Sequence, residues 1–227
     1  MRINIHAGHN PDNMTACGAV GLIKESTEAR KVVREVIRLL KELGHSVCDC
    51  TVNDGTSQND VLKKIVTKSN SNPCDLSVSI HFNSGRNDYN GDTKNGGVEA
   101  YVYSAKSEAY RYAVNLVNEI TELGFRNRGV FVRPSLYVLA HTTAPSVLLE
   151  CCFVDDKDDC KIYDYRTMAQ AIVIALVGSL PQEKITTSKN PIYRVQLGAF
   201  SKKENAVKLL KELENKGYSG FISKEER

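Results

Sequence analysis

Hydrophobic and polar residues alternate in several short segments of the chain, and this period of two predicts β-strands. The segments are INIHA near the start, then HSVCDCTV, DLSVSIHF and GGVEAYVYS. A further segment, PSVLLEC, is mostly apolar and predicts a final strand in the core.

Between these strands, apolar residues recur every three or four positions, which predicts helices. The first is STEARKVVREVIRLLKELG, with Ser26 or Thr27 as its N-cap and Gly44 at its C-terminal end. The others are QNDVLKKIVTKS, SEAYRYAVNLVNEITELG and YRTMAQAIVIALVGSL. This alternation predicts an α/β fold, with a central, largely parallel twisted sheet flanked by helices.

The polar segment at residues 181–190, PQEKITTSKN, contains a proline and lacks periodicity, so we interpret it as a linker. It separates a main domain, residues 1–180, from a short segment at residues 191–227. That segment contains a strand, IYRVQLGAF, a helix, SKKENAVKLLKELENKG, and a second strand, YSGFISKEE. We expect a small βαβ appendage, which is shorter than most units that fold alone.

The net charge of the chain is +3, which is too small to indicate a nucleic-acid-binding protein. Residues 188–227 contain nine Lys and Arg and five Asp and Glu, so this segment carries +4 and the rest −1. A basic tail on a nearly neutral body favours an anionic polymer as a partner.

The sequence also bears on where the protein is made. None of its seven cysteines forms a CxxC pair, so we expect reduced, structural thiols and synthesis in the cytoplasm. No signal-peptide pattern follows Met1, and the longest apolar run, residues 171–178, is far shorter than the roughly 18 residues of a membrane span. We therefore expect no signal peptide and no integral membrane association, so an external substrate would require release by another agent.

Three predicted strands lead into residues that could take part in catalysis, namely His9, His81 and Glu150. Ligands of open α/β sheets bind at the carboxyl ends of the strands. Glu25 precedes the first helix, so the loop after the first strand could place it beside His9. Two histidines and a carboxylate, with a fourth position left to water, would form a catalytic zinc site. Glu150, delivered by a buried strand, would then act as the proton acceptor.

Each of these residues also has an ordinary structural explanation. A histidine at the end of a strand commonly lies in a loop without a ligand, and a glutamate at the start of a helix interacts with the helix dipole. Spacing alone therefore leaves the four-residue site open.

Three sequence blocks favour the site. INIHAGHNPDNMTACGAVGLIKE, LSVSIHFN and LYVLAHTTAPSVLLECCF, in this order, resemble the zinc-dependent N-acetylmuramoyl-L-alanine amidases of the type 3 family over roughly residues 1–180. The resemblance implies that His9, Glu25 and His81 bind one Zn²⁺ per chain and that Glu150 is the catalytic carboxylate. The implied reaction is hydrolysis of the amide between N-acetylmuramic acid and L-alanine of the stem peptide in peptidoglycan.

Two positions depart from the pattern of this family. Cys152 stands where the family tends to have glycine, and Ala140 stands where an arginine is frequent. The first concerns the loop behind Glu150 and the second concerns contacts with the substrate. Neither departure removes a predicted metal ligand.

The tail sequence YRVQLGAFSKKENAVKLLKELENKGYSGFIS resembles the first half of a SPOR domain, a module that binds the glycan strands of peptidoglycan. The resemblance implies a partial SPOR-like wall-binding segment at residues 191–227, and a half-length module could associate with its copy in a second chain. An amidase with such a tail resembles a phage endolysin or a sporulation-type lysis amidase, which act on the cell wall after release.

Two other functions remain open on the residues themselves. A different zinc peptidase, such as a carboxypeptidase, would need an arginine for a substrate carboxylate, and Arg133 is the nearby candidate. A non-catalytic cell-wall-binding protein would carry a vestigial site, whereas all four predicted site residues are present.

Overall fold

A computed structural model describes residues 1–181 and 197–223. The chain divides into a first unit, Met1–Gln182, and a second unit, Glu183–Arg227. The predicted linker, apart from Pro181, and most of the predicted strand at residues 192–200 lie outside the described residues.

The first unit alternates strands and helices. Its strands are β1 (Arg2–Ala7), β2 (Ser46–Asp49), β3 (Leu76–Asn83), β4 (Val98–Val102), β5 (Asn127–Val132) and β6 (Ser146–Phe153). Its helices are α1 (Glu25–Glu42), α2 (Gln58–Asn70), α3 (Ala109–Thr121), α4 (Tyr137–His141), α5 (Lys157–Ile162) and α6 (Tyr165–Val177).

The six strands form one sheet in the order β2-β1-β3-β6-β4-β5. Strands β2, β1, β3 and β6 are parallel, whereas β4 runs antiparallel to β6 and pairs in parallel with β5. The predicted α/β fold with a largely parallel sheet flanked by helices is therefore confirmed. The edge strand β5 was not predicted, because Gly129 interrupts a short segment that is mostly half-buried or exposed.

Two apolar clusters hold the helices against the sheet. The larger one joins α1, α3 and α6 to one face through fully buried side chains such as Val36, Ile80 and Ile172. The smaller one joins α2 and α4 to the other face through Ile65, Val138 and Leu148. Helices α2 and α4 therefore cover only part of the width of this second face.

The start of α1 differs from the prediction. The helix begins at Glu25, and the N-cap is Lys24, whose side chain makes no capping hydrogen bond. Ser26 and Thr27 therefore lie inside the first turn rather than at the cap. Gly44 follows the helix end as predicted, with a φ of 82° that favours glycine.

The second unit contains the predicted helix, α7 (Lys203–Glu214). Its apolar face is only partly buried, and residues 218–223, where a second strand was predicted, are not in a strand. Several apolar side chains of this unit are exposed, including Leu197, Tyr218 and Phe221.

Two other expectations concern the cysteines and the membrane. All seven cysteines are free, in agreement with the prediction of reduced thiols. Across residues 1–181 and 197–223, every helix is too short or too polar to cross a bilayer.

Candidate active site

The first candidate ligand, His9, lies in the turn that follows β1. Its φ of 64° is in the left-handed region, which costs energy in a residue with a side chain. The turn is held by the buried side chain of Asn10, which donates hydrogen bonds to the carbonyl oxygens of Thr15 and Gly55 at 2.7 Å each. The strained backbone is thus fixed before any ligand binds.

Arg30, on α1, holds the same turn from the other side. Its guanidinium donates hydrogen bonds to the carbonyl oxygens of His9 at 2.8 Å, Val52 at 2.9 Å and Ser26 at 3.0 Å. It also donates to Oδ1 of Asn53 at 3.0 Å. The rigid fork of an arginine suits several fixed acceptors, so Arg30 ties the His9 turn to α1. Sequence analysis missed this residue, since nothing in its spacing distinguishes it from other basic residues on the helix.

If the site binds Zn²⁺ as the family resemblance implies, Arg30→Ala should weaken this binding by about tenfold to hundredfold, the usual scale when the support of a metal ligand is lost. The His9 turn would lose its hydrogen bonds to α1, and its strained backbone would relax. The measurement is a competition titration against a chromophoric chelator. Arg34→Ala, an exposed change on the same helix, is the control. Unchanged zinc affinity in Arg30→Ala would show that Asn10 alone holds the turn.

Glu25 enters the site as the first residue of α1, where the helix dipole favours a carboxylate. Its Oε2 accepts a hydrogen bond from the N–H of Ala19 at 2.8 Å, and its Oε1 accepts one from the N–H of Phe82 at 3.3 Å. Burial raises the pKa of Glu25, but hydrogen bonds to His81 and His9 outweigh burial and hold it well below its usual range. Glu25 is therefore ionised and buried.

His81 lies near the end of β3 and completes a group of three. Its Nδ1 is 2.9 Å from Oε1 of Glu25, and Nε2 of His9 is 3.2 Å from the same oxygen. One ligand atom from each residue lies within 4.8 Å of the other two. The structure therefore brings together the three residues predicted to bind the metal.

The surroundings of these three residues fit a metal ion. Glu25 is 4% exposed, and in the described part of the chain no Lys or Arg pairs with it, although buried charges are normally paired or bind metals. The backbone packs closely around the ligands at two glycines. A Cβ at Gly8 would overlap the His81 ring, and one at Gly18 would lie 2.5 Å from Oε2 of Glu25.

A second acidic group has a different character. Oxygens of Asp88, Asp156 and Asp158 also lie within 4.8 Å of one another. Each of these carboxylates already accepts hydrogen bonds, for example from the N–H groups of Gly91 and Thr93. These hydrogen bonds fix the loop between β3 and β4, and only Oδ2 of Asp88 in this group is buried without a partner among the described residues. The group contains no histidine, so we assign the candidate metal site to His9, Glu25 and His81.

Glu150 lies beside the candidate metal ligands on β6. It is the register partner of His81 on the neighbouring parallel strand. Its Oε2 is buried and has no hydrogen-bond partner among the described residues. Burial, followed by the charges of Glu25 and Glu99, raises the pKa of Glu150 well above its usual value. A carboxylate in this environment is a stronger base than one in water.

This arrangement was compared with known proteins. Residues 3–181 match the family model described as N-acetylmuramoyl-L-alanine amidase. The chain belongs to this amidase family. Residues 167–225 match the model of the SPOR domain, so both resemblances predicted from the sequence are confirmed. The SPOR match begins within α6, which is part of the first unit.

Two relatives illustrate how much of the chain the similarity covers. An uncharacterised protein of Clostridium perfringens strain 13 is 35% identical over 164 residues, which is 72% of this chain and 47% of that protein. An N-acetylmuramoyl-L-alanine amidase of Bacillus licheniformis is 29% identical over 98% of this chain and 84% of its own length. The chain spans about half the length of the Clostridium relatives that it matches.

A solved structure supports the fold of this amidase family member. The catalytic domain of the CD27L endolysin targeting Clostridia Difficile superposes with a TM-score of 0.69. The similarity covers 78% of this chain and 97% of that domain, at 24% sequence identity.

The candidate site of this amidase family member contains a buried glutamate that sequence analysis missed. Glu99, on β4, is the register partner of Glu150 and is 3% exposed. It accepts hydrogen bonds from Nδ2 of Asn83 at 2.7 Å, from the hydroxyl of Tyr101 at 2.5 Å and from Nε of Arg128 at 2.5 Å. Three donors thus satisfy Glu99, while Oε2 of Glu150 remains without a partner. A glutamate within an otherwise apolar strand was the signal that could have identified it.

The remaining histidines of the site region have other surroundings. His6 is buried on β1, and burial lowers its pKa to about 3. His141 is exposed at the end of α4 and stacks on the ring of Tyr137 at 4.0 Å. Neither belongs to the three-residue group.

Proposed function

We propose that this protein hydrolyses the amide bond between N-acetylmuramic acid and L-alanine of the stem peptide in peptidoglycan. The observation that carries the proposal is the unpartnered, buried Oε2 of Glu150, which lies beside the convergent group of His9, Glu25 and His81. Membership of the amidase family over residues 3–181 supports the same reaction. The cell wall is accordingly the proposed place of action.

One Zn²⁺ per chain is the metal that we propose for the site. Two histidines and one carboxylate are a common ligand set of catalytic zinc, because such a site keeps a position open for water or substrate. The chemistry that zinc supplies when bound is Lewis acidity, which polarises a carbonyl group and acidifies water. His9 and His81 would each bind the ion through an imidazole nitrogen, and Glu25 would supply the negative charge.

Glu150 is the residue that we propose moves the proton. Its raised pKa suits the removal of a proton from the attacking water at the buried Oε2. The same carboxylic acid would then protonate the amide nitrogen as L-alanine leaves. Because Oε2 is buried, the proton stays within the site during the two steps.

Mass spectrometry of digested peptidoglycan tests the reaction directly. The amidase reaction releases intact glycan and stem peptides with new L-alanine N-termini. A carboxypeptidase would instead release a C-terminal amino acid, and a non-catalytic wall-binding protein would release nothing. Neither alternative is favoured, since the chain belongs to an amidase family and retains all four predicted site residues.

The C-terminal segment is proposed to bind the glycan strands of peptidoglycan, on the basis of its SPOR match. Deleting residues 182–227 should leave cleavage of small soluble fragments nearly unchanged, because the candidate site residues all lie before residue 151. Binding to intact walls should weaken, with the largest loss at low salt because the segment carries a net positive charge. Cosedimentation with purified walls measures this loss. Equal binding by the truncated protein would exclude a targeting role for the segment.

Self-association through this segment is a further part of the proposal. Exposed apolar side chains within residues 197–223, including Phe221 at 76% exposure, support it. Sedimentation velocity of the full chain and of the truncated protein tests it, since only the full chain should form dimers.

A further inference from the structure

The sheet has an open surface beside Glu150. Helices α2 and α4 cover the second face only as far as Leu148 and Tyr101. Tyr101 pairs with Phe131 of β5, and Arg133 follows two residues later, so all three side chains share the face of Glu150 because strands alternate with a period of two. We call Tyr101, Phe131 and Arg133 the shelf.

The side chains of the shelf are held in contact with one another. The rings of Tyr101 and Phe131 lie 5.9 Å apart, and Phe131 is 39% exposed. The guanidinium carbon of Arg133 lies 5.9 Å from the centre of the Tyr101 ring. The hydroxyl of Tyr101 is fixed in turn by Glu99, the register partner of Glu150. The shelf is therefore connected by a direct contact to Glu99, which pairs with Glu150 across β4 and β6.

Arg133 is a cation without an acidic partner. Within residues 1–181 and 197–223 it forms no ion pair, whereas the neighbouring Arg128 is paired with Glu99. Arg133 is also exposed, so its guanidinium is available to a ligand. Ala140 on α4, where the family frequently has an arginine, cannot supply this charge.

The chemistry of the substrate decides which part of it the shelf would contact. The carboxyl group of muramic acid is consumed in the amide that is cleaved, so the glycan side of this bond carries no charge. The carboxylates of the substrate belong to the stem peptide. A free guanidinium is thus complementary to the peptide and not to the sugar.

The distances agree with this assignment. Neighbouring strands are about 4.8 Å apart and two residues along a strand span about 7 Å, so Tyr101 and Glu150 are about 8 Å apart at their Cα atoms. An extended peptide advances about 3.5 Å per residue, so the second residue of a stem peptide would reach the shelf.

From these observations, and on the basis of the proposed amidase function, we infer that Arg133 binds the carboxylate of the stem-peptide residue that follows L-alanine. Tyr101 and Phe131 form the floor on which the apolar part of that residue packs. The shelf thereby distinguishes stem peptides with a free carboxylate at this position from those in which it is a carboxamide.

The test uses two soluble muramoyl tripeptides that differ only in this group, a carboxylate in one and a carboxamide in the other. Their dissociation constants are measured with the full chain carrying Glu150→Gln, so that cleavage is slow during the titration. The carboxylate form should bind about tenfold more tightly, the scale of a charge-assisted contact in a partly exposed site. Adding Arg133→Gln should abolish this preference by weakening the carboxylate form alone. Arg111→Gln, on the exposed side of α3, is the control and should preserve it.

The kinetic counterpart uses the active enzyme. Arg133→Gln should raise KM for the carboxylate substrate about tenfold and leave its kcat unchanged. The KM of the carboxamide substrate should stay the same. The assignment would be overturned if Glu150→Gln alone bound both tripeptides equally. It would also be overturned if adding Arg133→Gln weakened the binding of both tripeptides equally. If the tripeptides bind with the expected preference but the active enzyme cleaves neither, the proposed function fails and the carboxylate site stands.

Discussion

Replacing Glu150 with glutamine should lower turnover of muramoyl peptides by about a hundredfold to ten-thousandfold, the range for a lost general base. The substitution keeps the shape of the side chain but removes its ability to accept a proton. Because Glu150 is not one of the three convergent ligands, zinc content should remain at one ion per chain. Turnover is measured by release of L-alanine N-termini and zinc by atomic emission.

Glu122→Gln, at the C-terminal end of α3, is a matched control for this experiment. It makes the same chemical change at an exposed position outside the site, so activity should be unchanged. If Glu150→Gln loses zinc, Glu150 is a metal ligand and its assignment as the base is wrong. If the variant keeps full activity, another group moves the proton.

Removing the metal should abolish activity as completely as removing a ligand. A chelator should stop cleavage and added Zn²⁺ should restore it, since three protein ligands hold the ion reversibly. His81→Ala should lose both bound zinc and activity, because the remaining two ligands leave the site incomplete. Full activity in excess chelator would contradict the zinc assignment.

A histidine outside the group provides the comparison for His81→Ala. His141 is exposed and stacked on Tyr137, so His141→Ala should keep its zinc. Circular dichroism of both variants would separate loss of the ion from loss of the fold. The distinction is needed because Glu25, left without His81 and without zinc, would be a buried charge with His9 as its remaining imidazole partner.

The predicted site residues that the structure brings together share one property: a local pattern marks them. His81 follows an alternating run, and Glu150 lies within an apolar one. Because the carboxyl ends of parallel strands meet at one edge of a sheet, both were expected at the same edge, and they are register partners. Glu25 was associated with His9 because it directly precedes the predicted first helix, so the loop after the first strand could place it there. The sequence blocks of the family then supported the same four residues, although their roles stay predictions until the variants are measured.

The residues that were missed act through contacts with no local signature. Arg30 resembles other basic positions of α1, and only the folded chain shows that its guanidinium reaches the carbonyl of His9. Glu99 and Arg128 belong to different strands, and their pairing required the position of β5, which the pattern did not predict. Long-range pairing of this kind depends on tertiary structure and cannot be derived from periodicity.

The order of strands has a consequence for when the proposed activity could begin. All three candidate metal ligands precede residue 82, but Glu150 arrives on β6, which inserts between β3 and β4 after both have been synthesised. A growing chain therefore contains the complete set of candidate metal ligands long before it contains Glu150, the proposed proton acceptor. A fragment that ends before Ser146 would lack a central strand of the sheet and would be inert toward the wall. The proposed hydrolytic activity would thus be delayed until nearly the whole first unit has left the ribosome.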